Sequence, residues 1–269
     1  MACLSRDDRA SSGTARTVSA RRPLVATPSC LCHCALLRLQ ELDSDEPSLA
    51  IARAPRTAQA RARHGLRELA LMSDDASNGY EAIADIFIAR RGTRPVVGDA
   101  IGAATVRAWA DAFPAGATVL DLGCGTGEPS TRVLREAGLT TYAIDASAKM
   151  VAAFRERFPG VEIEHNTVEA SDFFGRQFDG VIAWGLVFLL EAPAQSQVIA
   201  KVGRALAPGG RFLFTAHKQP LEWLDAMTGR LSQSLGADVY DRLLRDAGMA
   251  WVGEAEDEGE NHYYFAEKR

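Results

Sequence analysis

Apolar positions along this chain come in two rhythms. From residue 118 onward, short continuous apolar runs alternate with stretches where apolar side chains return every three or four residues. The runs predict strands near 118–122, 140–145, 161–165, 178–184 and 210–216. The longer period predicts helices near 129–138, 147–158, 193–206 and 221–246. Met150, Val151, Phe154 and Phe158 make one apolar face, and Val198, Ile199, Val202 and Leu206 another. Such alternation implies a parallel sheet covered on both sides. Two closing runs, about 249–255 and 261–267, are joined by Asp257-Glu258-Gly259-Glu260 and predict a hairpin. Upstream, Tyr80, Ile83, Ala84, Phe87 and Ile88 mark one face of a helix, with Asn78 as cap and Glu81 closing a capping box. A second helix, about 97–113, carries Ile101, Thr105, Ala108 and Trp109. No repeat and no second folded domain is visible.

The stretch Val119-Leu120-Asp121-Leu122-Gly123-Cys124-Gly125-Thr126-Gly127-Glu128-Pro129 joins the first strand to a helix. Without a Cβ, its glycines let the main chain turn sharply and lie close to a ligand. Pro129 suits the first helical position, where its missing N–H costs nothing. The spacing is G-x-G-x-G. A dinucleotide turn has G-x-G-x-x-G, and a P-loop continues into Lys and Ser/Thr. Here Glu128 follows, and its charge would repel a phosphate. Asp145 ends the next strand (Tyr142-Ala143-Ile144-Asp145), where an acid can accept both hydroxyls of a ribose. A ribose without phosphates points to S-adenosylmethionine.

At these residues a resemblance emerges. Asp121-Leu122-Gly123-Cys124-Gly125-Thr126-Gly127 resembles the first motif of class I S-adenosylmethionine-dependent methyltransferases, and Asp145 resembles their ribose acid. Phe178-Asp179-Gly180-Val181-Ile182 is similar to their fourth strand, and Leu206-Ala207-Pro208-Gly209-Gly210-Arg211-Phe212-Leu213-Phe214 to the turn into their fifth. The resemblance covers about Tyr80 to the C-terminus. It implies an α/β fold: a Rossmann-like, seven-stranded, mostly parallel sheet with helices on both faces and the last strand antiparallel, in one domain over 72–269. Ligands of open α/β sheets bind beyond the carboxyl ends of the strands. The resemblance therefore implies that Gly123, Cys124 and Gly125 pass beside the methionine part, with Cys124 a small filler. Asp121 fixes the loop or reaches the amino group, Asp145 takes the ribose, and Ala146 packs by the adenine. Thr167 stands where relatives often carry an acid for the adenine amino group. Glu169 is the substitute, and the Val168 main-chain N–H a donor to the ring. Trp184 faces the sulfonium or substrate by cation–π attraction, or packs. Family helices before the first strand cover the cofactor, so Tyr80 lies over the methionine end or in the core.

Alignment of acceptor, methyl and sulfur can supply about 7–11 kcal/mol of a methyl transfer, and a general base roughly 10²–10⁴-fold. No diagnostic triad is expected. The base candidates are His217, just after the fifth strand, His262 beside Tyr263 and Tyr264, and Tyr80. No Asn-Pro-Pro-Tyr follows the fourth strand, which speaks against methylation of adenine or glutamine nitrogens. No acid ends that strand, so a catechol-type metal site is not supported, and Cys124 alone cannot form a thiol-based arsenic site. The segment 217–248 is longer than the fold requires. Its stripe of Trp223, Leu224, Met227, Leu231 and Leu235 either roofs a small-molecule pocket with the Tyr80 helix or packs on the sheet. The acidic run 254–260 is a solvated turn or an attractor for a cationic amine. The expected activity is methyl transfer to O or N of a small-molecule acceptor. A non-catalytic S-adenosylmethionine-binding protein and an NAD-linked oxidoreductase are the alternatives.

The net charge is −5, unevenly spread. Residues 1–71 hold 11 Lys+Arg against 7 Asp+Glu, and the remainder 19 against 28. An acidic folded part argues against nucleic acid as partner. No apolar run has membrane-spanning length, so a cytoplasmic monomer or homodimer is expected. Residues 1–71 are rich in Ala, Arg, Ser and Thr and read as disordered, with a frayed helix over 58–71. Cys3, Cys30, Cys32 and Cys34 lie there, too tightly spaced for a paired zinc site. The stretch reads as an over-extended reading frame ahead of Met72-Ser73-Asp74-Asp75, or as a transit peptide.

Overall fold

The computed structural model describes residues 75–92 and 100–269. The readings above for residues 1–71, the start at Met72 and the beginning of the second helix fall outside the described residues.

Among the described residues there are nine strands: β1 (Thr118–Leu122), β2 (Thr140–Asp145), β3 (Glu162–His165), β4 (Phe178–Ala183), β5 (Leu206–Thr215), β6 (Leu221–Leu224), β7 (Leu231–Ser234), β8 (Met249–Glu256) and β9 (His262–Lys268). Seven form one sheet in the order β3-β2-β1-β4-β5-β9-β8. The first five are parallel, and β9 enters antiparallel between β5 and β8. This is the expected sheet. Strand order reverses at β1, so a crevice forms beyond the carboxyl ends of β1 and β4.

Side chains alternate across the sheet and split its core in two. Leu120, Leu122, Val181, Phe212, Phe214 and Tyr264 face α5 (Ala192–Ala205) and α6 (Ala237–Asp246). Val119, Ile182, Leu213 and Tyr263 face α2 (Ala103–Ala110) and α3 (Ser130–Glu136). A third cluster sets α4 (Ala148–Arg157) on β2 and β3 through Val151, Phe154, Ala143 and Ile163. Burying each large apolar side chain contributes about 1.5–3 kcal/mol. The stack of Tyr264 on Phe214, 4.7 Å between centroids, joins the antiparallel strand to the parallel ones.

Two local expectations are corrected. The region 221–246 is a helix only from Ala237; before it, β6 and β7 form a separate antiparallel hairpin. The spacing of Trp223, Met227, Leu231 and Leu235 mimics a helical stripe. Yet Asp225 accepts hydrogen bonds from Met227 N (2.9 Å), Thr228 N (2.8 Å) and Thr228 Oγ1 (3.1 Å), and Gly229 takes a left-handed φ of 67°. Such side-chain-to-backbone bonds make a turn where the pattern alone suggests a helix. The second correction concerns α1 (Tyr80–Gly92). Ser77, not Asn78, caps it, its Oγ accepting from Glu81 N at 2.8 Å. Glu81 points away to α4, accepting from Ser147 Oγ (2.6 Å) and Lys149 N (3.1 Å). Its charge at the start of α4 complements the helix dipole there. With the Asp85–Lys149 pair at 2.6 Å it docks α1 onto α4. The expected helix over 97–113 is shorter where described, running from Ala103 to Ala110.

Candidate functional site

The apolar run of β1 carries the chain to the crevice, where Gly123, Gly125 and Gly127 all take left-handed φ angles. A Cβ on Gly127 would lie 2.3 Å from the Phe158 ring, so this glycine lets the turn seat on α4. A Cβ on Gly125 would meet nothing within 4 Å. The main chain is bare there and faces open space. Gly123 N and Cys124 N both donate to the Ile144 carbonyl, at 2.9 and 3.1 Å, tying the turn to β2. Burial pushes the Cys124 thiol well above its ordinary pKa. It is a neutral filler, not a nucleophile.

The two acids of the turn have different partners. Asp121 is buried, and Thr131 Oγ1 from α3 donates to its Oδ2 at 2.6 Å. Burial, opposed by that bond and assisted by the charge of Asp145, pushes its carboxyl up to about 7. Asp145 accepts Gly125 N on Oδ2 at 2.7 Å and Ser147 N on Oδ1 at 2.9 Å. Burial raises its pKa as well, while the two main-chain donors lower it. Each oxygen of a carboxylate has about two acceptor sites, so both retain capacity toward a ligand hydroxyl. Beside it, the Ala146 carbonyl is held by His165 Nε2 at 3.1 Å.

The turn after β3 is built from Asn166, whose Oδ1 accepts Thr167 N at 2.9 Å, and Thr167, whose Oγ1 accepts Ala170 N at 3.1 Å. Lys201 of α5 clamps it from the far side. Its Nζ donates to the carbonyls of Val168 (2.9 Å), Glu169 (2.7 Å) and Ser171 (2.7 Å). Val168 is buried and Glu169 exposed. Thus the Thr167 hydroxyl accepts a bond within the turn and keeps its own O–H as a donor.

At the end of β4, Trp184 packs on the α2 side, its Nε1 donating to Tyr263 OH at 2.7 Å. Tyr263 OH in turn donates to Asp257 Oδ2 at 2.6 Å. The contacts of Trp184 are those of packing. Asp257 also orders its own turn by accepting Gly259 N and Asn261 N, Glu258 accepts Gly102 N, and Glu254 pairs with Lys218 at 2.5 Å. Three carboxylates of the acidic run, those of Glu254, Asp257 and Glu258, are thus engaged within the protein.

The two histidines come together. His217 follows β5 and His262 opens β9, beside one another at the carboxyl end of the parallel strands. Burial lowers the pKa of both, and the neighbouring His262 lowers that of His217 further. The His217 ring stands edge-on to Trp223, 4.8 Å between centroids. Tyr80 lies on α1, its ring at 5.8 Å from Phe87. The structure therefore gathers Asp121, Gly123, Cys124, Gly125, Asp145 and Ala146 at one turn, and the histidines at a second locus across β4. Sequence reasoning missed Thr131 and Lys201, which bear no motif, and named Tyr263 only as a neighbour of His262, not as a partner of Trp184 and Asp257. A groove of about 650 Å³ between α2 and the β9–β8 end of the sheet is lined by none of these residues.

Comparison with known proteins agrees with this geometry. Residues 119–210 match the family described as Methyltransferase domain. The chain is 29% identical over 201 residues to a demethylmenaquinone methyltransferase of Renibacterium salmoninarum, covering 68% of this chain and 77% of that one. It is 34% identical over 120 residues to a ubiquinone biosynthesis O-methyltransferase of Pseudomonas syringae pv. tomato, covering 43% and 51%. Among solved structures it resembles the magnesium protoporphyrin IX methyltransferase of Synechocystis with bound S-adenosylmethionine, at a TM-score of 0.56 and 18% identity over 73% of this chain and 98% of that one. The glycopeptide N-methyltransferase MtfA, with the same ligand, gives 0.52 and 18% over 65% and 96%. At such identities these two likenesses speak for the fold. Motif order, strand order and relatives together support the class I S-adenosylmethionine-dependent methyltransferase family for this chain.

Proposed function

We propose that this chain transfers a methyl group from S-adenosylmethionine to an oxygen or nitrogen of a small-molecule acceptor. The observation that carries the reading is the bare main chain at Gly125 facing open space, with the Asp145 carboxylate 2.7 Å from its N–H. When bound, S-adenosylmethionine supplies an activated methyl group for in-line displacement. Asp145 would take the ribose hydroxyls with the acceptor sites left on its oxygens. Asp121 holds the turn to α3 through Thr131, in keeping with the first of its two expected roles. Gly123 and Cys124 would pass by the methionine part, Ala146 and the Val168 N–H by the adenine. Lys201 takes the main-chain carbonyl of Glu169, which leaves its exposed carboxylate as the substitute acceptor for the adenine amino group, while Trp184 packs and gives its N–H to Tyr263. His217, kept neutral by burial, is the proton acceptor of choice, with His262 beside it and Tyr80 on α1 as the other candidates.

The two relatives named above are a demethylmenaquinone methyltransferase and a ubiquinone biosynthesis O-methyltransferase, which favours a small molecule over a macromolecule. Among the described residues no helix is long and apolar enough to cross a membrane. We assign the chain to the cytoplasm as a monomer or homodimer without a nucleic-acid partner, and sedimentation with and without added RNA tests this. For the cofactor, calorimetry with S-adenosylmethionine against NADH is decisive. Binding of the first alone is expected, and Asp145→Ala should weaken it by roughly 1–3 kcal/mol. Preference for NADH would overturn the reading. Turnover of labelled methyl donor with candidate acceptors separates an enzyme from a mere binder.

A further inference from the structure

Two of the buried polar atoms without a hydrogen-bond partner among the described residues, Trp223 Nε1 and Ser232 Oγ, lie on facing residues of one strand pair. Their closeness follows from the hairpin. Trp223 and Ser232 are directly opposed across β6 and β7, so their side chains share a face. Leu221 and Ser234, two residues on along each strand, lie on the same face. That face looks onto the carboxyl ends of β4 and β5. Ser234 Oγ donates to the His217 carbonyl at 2.6 Å, and the Trp223 ring touches both His217 and Phe188, the latter at 5.4 Å. His262 adjoins His217, and its Nε2, which also has no hydrogen-bond partner, lies 3.7 Å from the Glu254 carboxylate.

An unsatisfied buried polar group costs about 1–3 kcal/mol, and native chains hold few. Two on one face call for a common explanation. An indole N–H can only donate, whereas a serine hydroxyl donates or accepts. The walls between them are the flat rings of Phe188, Trp223 and His217. Aromatic walls with a few convergent polar groups are what small-molecule sites present.

We propose that the β6–β7 hairpin forms the acceptor subsite, and that the acceptor is a planar ring compound whose oxygen receives the Trp223 N–H and contacts Ser232. This deepens the methyltransfer reading and rests on it. The insertion then selects for flat oxygenated rings and sets them beside His217. An aliphatic amine would leave both the indole and the ring walls unmatched.

The test uses the full chain with S-adenosylhomocysteine, 1-naphthol as the planar oxygenated probe and dimethylglycine as the aliphatic one. The indole ¹H–¹⁵N signal of Trp223 is identified by its loss in Trp223→Phe. Of the three other indoles, those of Trp184 and Trp251 already have bonds, to Tyr263 OH at 2.7 Å and the Gly253 carbonyl at 2.6 Å, and serve as internal controls. Naphthol should shift the Trp223 signal downfield and leave the controls in place, and dimethylglycine should shift none. Ser232→Ala, a change small enough to keep the fold, should weaken naphthol binding about tenfold with homocysteine-product affinity unchanged. A Trp223 signal that ignores naphthol, or answers to dimethylglycine, overturns the proposal. If naphthol shifts Trp223 while S-adenosylhomocysteine fails to bind, the cofactor reading falls and the ring-binding subsite stands.

Discussion

At the scale of single residues, Asp121 is the group whose environment most alters its chemistry. Burial moves its carboxyl from the ordinary 3.8 to about 7. Between those values the unfolded chain has lost the proton and the folded chain retains it. Stability therefore falls as pH rises through that window, by up to about 4 kcal/mol, and is fully present only below it. Asparagine at 121 keeps an acceptor for Thr131 Oγ1 but does not titrate. Asp121→Asn should melt above the wild type at pH 8 and no higher than it at pH 4. Thermal denaturation across that range checks this; parallel curves for the two proteins would rule it out. Asp145 was legible in the sequence as a ribose acid because its place at the tip of a strand is a local property. Its hold on Gly125 N was not, since that bond joins residues brought together by the pairing of β1 with β2.

At the scale of elements, Lys201 shows how one helix can set the shape of a loop it never adjoins in sequence. It lies on α5, more than 30 residues beyond the turn it clamps, and gives three short bonds to main-chain carbonyls there. Its stem also passes over the Phe173 ring, Nζ 4.8 Å from the centroid. Methionine at 201 keeps the stem and removes the donors. Lys201→Met should lose about 2–3 kcal/mol of stability, the range for a hydrogen bond to a charged group. Amide exchange at residues 166–172 should quicken and cofactor affinity drop several-fold, with partial rescue by Lys201→Arg. Unchanged exchange in that turn would show the clamp to be idle. The hairpin β6–β7 makes the complementary point. Its apolar stripe has helical spacing, and the pattern suggests a helix. Asp225 and Gly229 override that pattern with a turn only six residues wide, 225–230, which period counting averages away.

At the scale of the whole molecule, the crevice beyond β1 and β4 is where the proposed cofactor couples to stability. A ligand that binds only the folded chain stabilises it by about 2.7 kcal/mol at a hundred times its dissociation constant. S-adenosylhomocysteine should therefore raise the melting temperature of the full chain by several degrees, and Asp145→Ala should lose most of that gain at equal ligand concentration. A gain that Asp145→Ala keeps in full would move the ribose elsewhere. The docking of α1 on α4 by Glu81 and the clamp of Lys201 both border this crevice, so both should tighten with it.

By itself, the sequence determined the alternation of strands and helices, the sheet's core faces and the glycine turn between Asp121 and Pro129. Each is written in a short window: a period of two or 3.6 residues, or a backbone angle only glycine tolerates cheaply. Only the tertiary structure decided that Asp121 is held by Thr131, that Trp184 gives its N–H to Tyr263 79 residues away, and that Trp223 and Ser232 face His217. Those choices depend on which strands become neighbours, and burial then makes each polar group take whatever partner the sheet order brings within reach.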